Sequence, residues 1–113
     1  MLQFNDNRIH IKNFDLNMQK NVLIVDIYGT DLADCNAFKQ LSNILSLNLD
    51  SNELRDLSGL KQLSSLKTLS LSDNKIQTVE DLIWLAGLAE LNLGNNEISD
   101  LFGLIHLVGL QKL

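Results

Sequence analysis

A period of 22 residues constrains this chain more than any other feature. Rows of 22 beginning at Val22, Ile44, Leu66 and Leu88, with a fifth begun at Leu110, align column by column. Column 4 reads Val25, Leu47, Leu69 and Leu91, and column 6 reads Ile27, Leu49, Leu71 and Leu93. Column 11 holds Leu32, Leu54, Ile76 and Ile98. Columns 14, 17 and 20 are apolar throughout as well: Cys35, Leu57, Val79, Leu101; then Phe38, Leu60, Leu82, Leu104; then Leu41, Leu63, Leu85, Leu107. A unit this short cannot bury its own apolar side. Units stacked side by side share one continuous core, and about three suffice. The chain has four complete rows.

Within a row the local chemistry changes once. Columns 3 to 7 alternate polar and apolar, the period of a strand with one face buried. Beyond column 11 the apolar spacing becomes three, which suits a short turn of helix or 3₁₀ helix. Column 13 reads Asp34, Asp56, Thr78 and Asp100, and each of these side chains can accept from the free amides that open such a turn. Residues 78–81, "TVED", have capping-box spacing, with Asp81 in place of the usual Glu or Gln. Column 22 (Asn43, Ser65, Gly87, Gly109) supplies bend-forming residues before the next strand.

Column 9 holds Thr30, Asn52, Asn74 and Asn96. Asparagine is a poor strand residue, yet here it sits between apolar columns, where the chain must turn away from water. Its amide is both donor and acceptor, so a stack of them can satisfy backbone groups from row to row. Leaving one such buried group unpaired costs about 1–3 kcal/mol. These four residues are read as a structural ladder rather than as catalytic groups.

The segments "ILSLNLDSNEL", "LKTLSLSDNKI" and "LAELNLGNNEI" resemble the leucine-rich repeat, L-x-x-L-x-L-x-x-N-x-[LI]. The 22-residue length, with apolar columns at 14, 17 and 20, is similar to the short class found in SDS22-type phosphatase regulators and bacterial internalins. The resemblance covers residues 22–113 and implies an α/β solenoid. That fold is a right-handed superhelix with a parallel β-sheet on its concave face and short helical or 3₁₀ turns on its convex face. Repeats are expected at 22–43, 44–65, 66–87 and 88–109, with a partial one at 110–113 and an N-terminal cap over 1–21. In that cap, "LQF" and "RIHI" alternate around "NDN", which predicts a hairpin. Solenoid ends are atypical in this way.

Composition removes several function classes. The formal net charge of −5 speaks against generic nucleic-acid binding, which needs Lys and Arg to neutralise phosphate. No stretch approaches the ~18–20 consecutive apolar residues of a membrane span. The first residues lack the basic and apolar regions of a signal peptide, so a cytoplasmic protein is expected; a trimmed piece of a secreted one would read the same way. The lone Cys35 falls in an apolar column and reads as a small core hydrophobe. The histidines, His10 and His106, belong to opposite ends of the stack, and no C-x-x-C, H-E-x-x-H or phosphate-binding glycine loop occurs. No catalytic residue, metal site or cofactor is expected.

Two surfaces remain. Columns 3, 5, 7 and 8 face outward from the strands and give the expected partner-binding set: Asp26, Tyr28, Asn48, Asp50, Ser70, Ser72, Asp73, Glu90 and Asn92. These columns hold four acids and neither Lys nor Arg. They are expected to form a shallow acidic trough for a basic or polar protein surface, with Tyr28 the single aromatic anchor. Polar strand exteriors are also what plain solvation requires. On the convex side, Ile83, Trp84 and Phe102 form a possible secondary contact, the alternative being that Trp84 folds over the edge of the core. The C-terminal edge, begun as "LQKL", is expected to be open and to offer self-association. The function expected is protein–protein interaction through the concave face. The other reading is a structural scaffold, an engineered solenoid or a truncated one, with no specific partner of its own.

Overall fold

The computed structural model describes residues 9–15, 21–29, 33–35, 38, 43–101 and 104. Its frame is one five-stranded sheet in chain order: β1 (Ile9–Asp15), β2 (Asn21–Ile27), β3 (Ile44–Asn48), β4 (Thr68–Ser70) and β5 (Glu90–Asn92). β1 and β2 are antiparallel, and every later pair is parallel. Parallel neighbours need a crossover, and the back half of each 22-residue row supplies it. The register is the sequence period made spatial: Leu47 faces Leu69, and Leu69 faces Leu91. One irregularity interrupts it. Leu23 pairs with Ile44 but Ile24 pairs with Ser46, so Leu45 is left over as a bulge and its side chain is exposed.

Each row is thus one coil, and the apolar columns meet inside. In coils 2 and 3, columns 1, 4, 6, 11, 14, 17 and 20 are all 2% exposed or less. The backs of these coils are 3₁₀ turns at Ser58–Leu60 and Glu80–Trp84. Column 13 opens both of them, over a tighter span than a helix cap. Asp56 Oδ1 accepts from the Ser58 amide at 2.8 Å and Thr78 Oγ1 from the Glu80 amide at 3.4 Å. The capping-box partner acts elsewhere: Asp81 reaches the preceding coil and pairs with Lys61 at 3.4 Å. Column 13 also makes parallel bridges, Asp34 with Asp56 and Thr78 with Asp100.

The asparagine ladder is built as its chemistry predicts. Asn74 Nδ2 donates to Leu71 O (3.0 Å) and Ser72 O (3.1 Å) in its own coil, and to Leu49 O (3.0 Å) in the coil before. Its Oδ1 accepts from the Leu54 amide at 3.0 Å. Asn96 repeats the pattern one coil on, with Leu71 O, Leu93 O, Gly94 O and the Ile76 amide. Asn52 donates to Ile27 O, Leu49 O and Asp50 O. Thr30, the expected first rung, lies outside the described residues.

The N-terminal region pairs beyond its own sequence pattern. The "LQF" arm of the expected hairpin lies outside the described residues. The "RIHI" arm continues to Asp15 as β1 and pairs with β2, from Ile9 opposite Ile27 to Asp15 opposite Asn21. This covers an edge that would otherwise present unpaired backbone groups. Column 8 has its own requirement: Gly29, Ser51, Asp73 and Asn95 all have positive φ, between 55° and 65°. Each strand therefore leaves the sheet through a left-handed residue, a conformation that glycine and asparagine adopt more readily than serine.

Candidate partner-binding face

Parallel strands in register set equal columns side by side, so each outward column becomes a row across the sheet. Column 5 runs Asp26, Asn48, Ser70 and Asn92, each the register partner of the next. Column 7 (Tyr28, Asp50, Ser72, Gly94) follows just beyond the paired residues. The residues singled out by sequence therefore share one surface. Tyr28, Asp73, Glu90 and Asn92 are exposed, while Asp26, Asn48, Asp50, Ser70 and Ser72 are half-buried.

Most of these polar groups are already engaged. Asp50 Oδ1 accepts from Ser70 Oγ at 2.7 Å and from the Ser72 amide at 2.8 Å, tying coil 2 to coil 3. Asp73 accepts from Asn95 Nδ2, tying coil 3 to coil 4. Asn48 takes the Asp50 amide at 2.9 Å and Asn92 the Gly94 amide at 3.0 Å. Spacing carried a signal for the cross-coil pairs, since each acid has a hydrogen-bond donor 22 residues later.

Asp26 differs. Its Oδ1 is enclosed and has no hydrogen-bond partner. Rotation about the broad χ2 torsion of a carboxylate exchanges its two oxygens, so this unmet capacity can turn toward the surface. In the backbone register Asp26 lies between His10 of β1 and Asn48 of β3, and Lys12 lies opposite Ile24. A histidine and a lysine position thus adjoin columns that contain no Lys, Arg or His. Reading by columns misses them because β1 stands outside the period. The alternation in "RIHIKNF" is the signal that could have found them.

On the back of coil 3, Trp84 is 58% exposed. Ile83 beside it is half-buried, and Phe102 lies outside the described residues. Cys35 is fully buried. Burial pushes its thiol up to about 12, helped by the charges of Asp34 and Asp56, so it stays protonated and unreactive at neutral pH. Among the described residues no group of three His, Cys, Asp or Glu side chains could hold a metal ion. None of the helices there is long and apolar enough to cross a membrane. At the last described coil, an open depression is lined by Leu93, Asn96, Ile98, Leu101 and Leu104.

No family model matches the chain, and no curated protein matches it in sequence. Solved structures do. An internalin (inlF) from Listeria monocytogenes is 30% identical, matching 77% of this chain and 26% of its own, with a TM-score of 0.74. Internalin C2 (inlC2) from the same organism is 32% identical over 74% of this chain and 37% of its own, with a TM-score of 0.72. The chain spans well under half the length of either. What it shares with them is a stack of coils joined through one parallel sheet, and on that ground it belongs to the leucine-rich repeat proteins.

Proposed function

We propose that this chain is a protein–protein interaction module that receives a basic protein surface on the concave face of its sheet. The observation that carries this reading is the uneven use of its four acids. Asp50 and Asp73 are bonded to neighbouring coils. Asp26 keeps an oxygen without a donor, and Glu90 is exposed on β5. A cationic side chain reaching Asp26 supplies that donor, and charge-assisted hydrogen bonds are roughly twice as strong as neutral ones. Tyr28, two residues along the same strand face and exposed, offers a ring to the same cation. Recognition of this kind fits the role that leucine-rich repeat proteins serve in general. A scaffold without a partner is the second reading, favoured by the internal bonding of Asp50, Asp73 and Asn92.

One protein carrying both Asp26→Lys and Glu90→Lys separates the two. It is expected to keep the wild-type Tm and to lose the proteins that the wild-type chain captures saturably from a lysate. Equal capture by the variant removes the concave face from consideration. Absence of saturable capture by the wild type leaves the scaffold.

A further inference from the structure

We propose that the partner meets the sheet face as an extended segment lying across the strands, with one cationic side chain for Asp26 and a second, four residues away, for Glu90. This rests on the function proposed above and adds the spacing and backbone shape that the face selects. Asp50 and Asp73 are tied to neighbouring coils, whereas Asp26 and Glu90 make no such bond among the described residues. Asp26, Asn48, Ser70 and Asn92 are successive register partners, and Glu90 precedes Asn92 by two residues on β5. Strands about 4.8 Å apart put β5 roughly 14 Å from β2, and two residues along a strand add roughly 7 Å. The two acids are therefore roughly 16 Å apart on a flat sheet, and closer on a concave one. In the other direction, β1 sets His10 opposite Asp26 and Lys12 opposite Ile24. A second cation is accordingly received on the β5 side.

The floor between the two acids decides the backbone shape. It consists of Ser46, Asn48, Thr68 and Ser70, all half-buried, and has no apolar side chain to seat the apolar stripe of a helix. It offers amide donors instead. Asn48 and Asn92 use Oδ1 for the Asp50 and Gly94 amides, and among the described residues Nδ2 of each has no acceptor. An extended segment brings main-chain carbonyls to such donors, whereas a helix spends its interior carbonyls on itself. Side chains of an extended segment share a face at every second residue, so residues two, four and six apart span roughly 7, 13 and 20 Å. Two long cationic side chains four apart bridge the remaining gap to both acids. Two apart falls roughly 9 Å short, and six apart overshoots a span that bending has already reduced.

The test uses the full chain and short, capped, fluorescein-labelled peptides of serine and threonine containing two arginines, either four or two positions apart. Fluorescence anisotropy at low salt is the readout. The four-apart peptide is expected to bind about tenfold tighter, as one further hydrogen bond to a charged group provides. Asp26→Asn is expected to weaken both peptides, and Glu90→Gln only the four-apart one. Equal affinity of the two peptides, each lost on Asp26→Asn, overturns the spacing and leaves the cationic reading of the face standing. A four-apart preference that survives Glu90→Gln overturns it as well. If neither peptide binds above a control with glutamine in place of arginine, the spacing and the cationic reading fall together.

Discussion

Replacing Asn74 by Leu adds an apolar side chain at a position only 7% exposed, and it is nevertheless expected to destabilise the protein. The structure identifies which groups suffer. Leu49 O keeps Asn52 Nδ2 at 2.9 Å, Leu71 O keeps Asn96 Nδ2 at 2.9 Å, and Ser72 O keeps the Ser51 amide at 2.9 Å. These carbonyls accept twice, so each loses one bond and retains another. The Leu54 amide has no such reserve, since its partner is Asn74 Oδ1 alone and Leu54 is fully buried. An orphaned buried donor costs about 1–3 kcal/mol, and each weakened carbonyl adds roughly half a kcal/mol. Forcing a branched side chain into an amide-shaped space costs about 1–3 kcal/mol more. Burial of the new methyl groups offsets about 1.5–3 kcal/mol. Taken at their midpoints these effects net to a loss of about 3 kcal/mol, a large share of the ~5–15 kcal/mol that holds a typical domain together. Urea unfolding followed by far-UV circular dichroism measures it, with Gln77→Ala on the surface as a control expected to stay within about 0.5 kcal/mol. A midpoint for Asn74→Leu that matches the wild type at equal m-value would show that the ladder does not brace the coils.

The left-handed residues and the buried thiol give two more expectations. Ser51 has φ 58°, so Ser51→Asn is expected to stabilise by a few tenths of a kcal/mol, and Ser51→Val to destabilise by about 1–2 kcal/mol, because a β-branched side chain clashes there. Thermal melts that rank Val above Asn would contradict this. Folding raises Cys35 from the ordinary thiol value of 9.0 to about 12, so the folded state favours the neutral thiol. That contribution is complete below about pH 9 and is lost as pH climbs toward about 12. Cys35→Ala should therefore show a shallower alkaline loss of stability than the wild type, and superimposable alkaline limbs would refute it.

The 22-residue period by itself determined the main architecture. It set Leu47, Leu69 and Leu91 side by side in parallel strands, filled the core columns, placed Asn52, Asn74 and Asn96 between coils, and put acceptors at the start of the 3₁₀ turns. Such features are legible because every row states the same local constraint again, and agreement among rows outweighs any one residue's propensity. Tertiary structure alone decided what occurs once. β1 lies outside the repeat, and its antiparallel pairing depends on the free edge that β2 presents in space. The period put a donor 22 residues after Asp50 and after Asp73, but that these two acids bond across coils while Asp26 keeps an unpaired oxygen depends on distances that only stacking creates. Periodicity says which side of a coil a residue joins, while its contacts there are set by which neighbours arrive within reach.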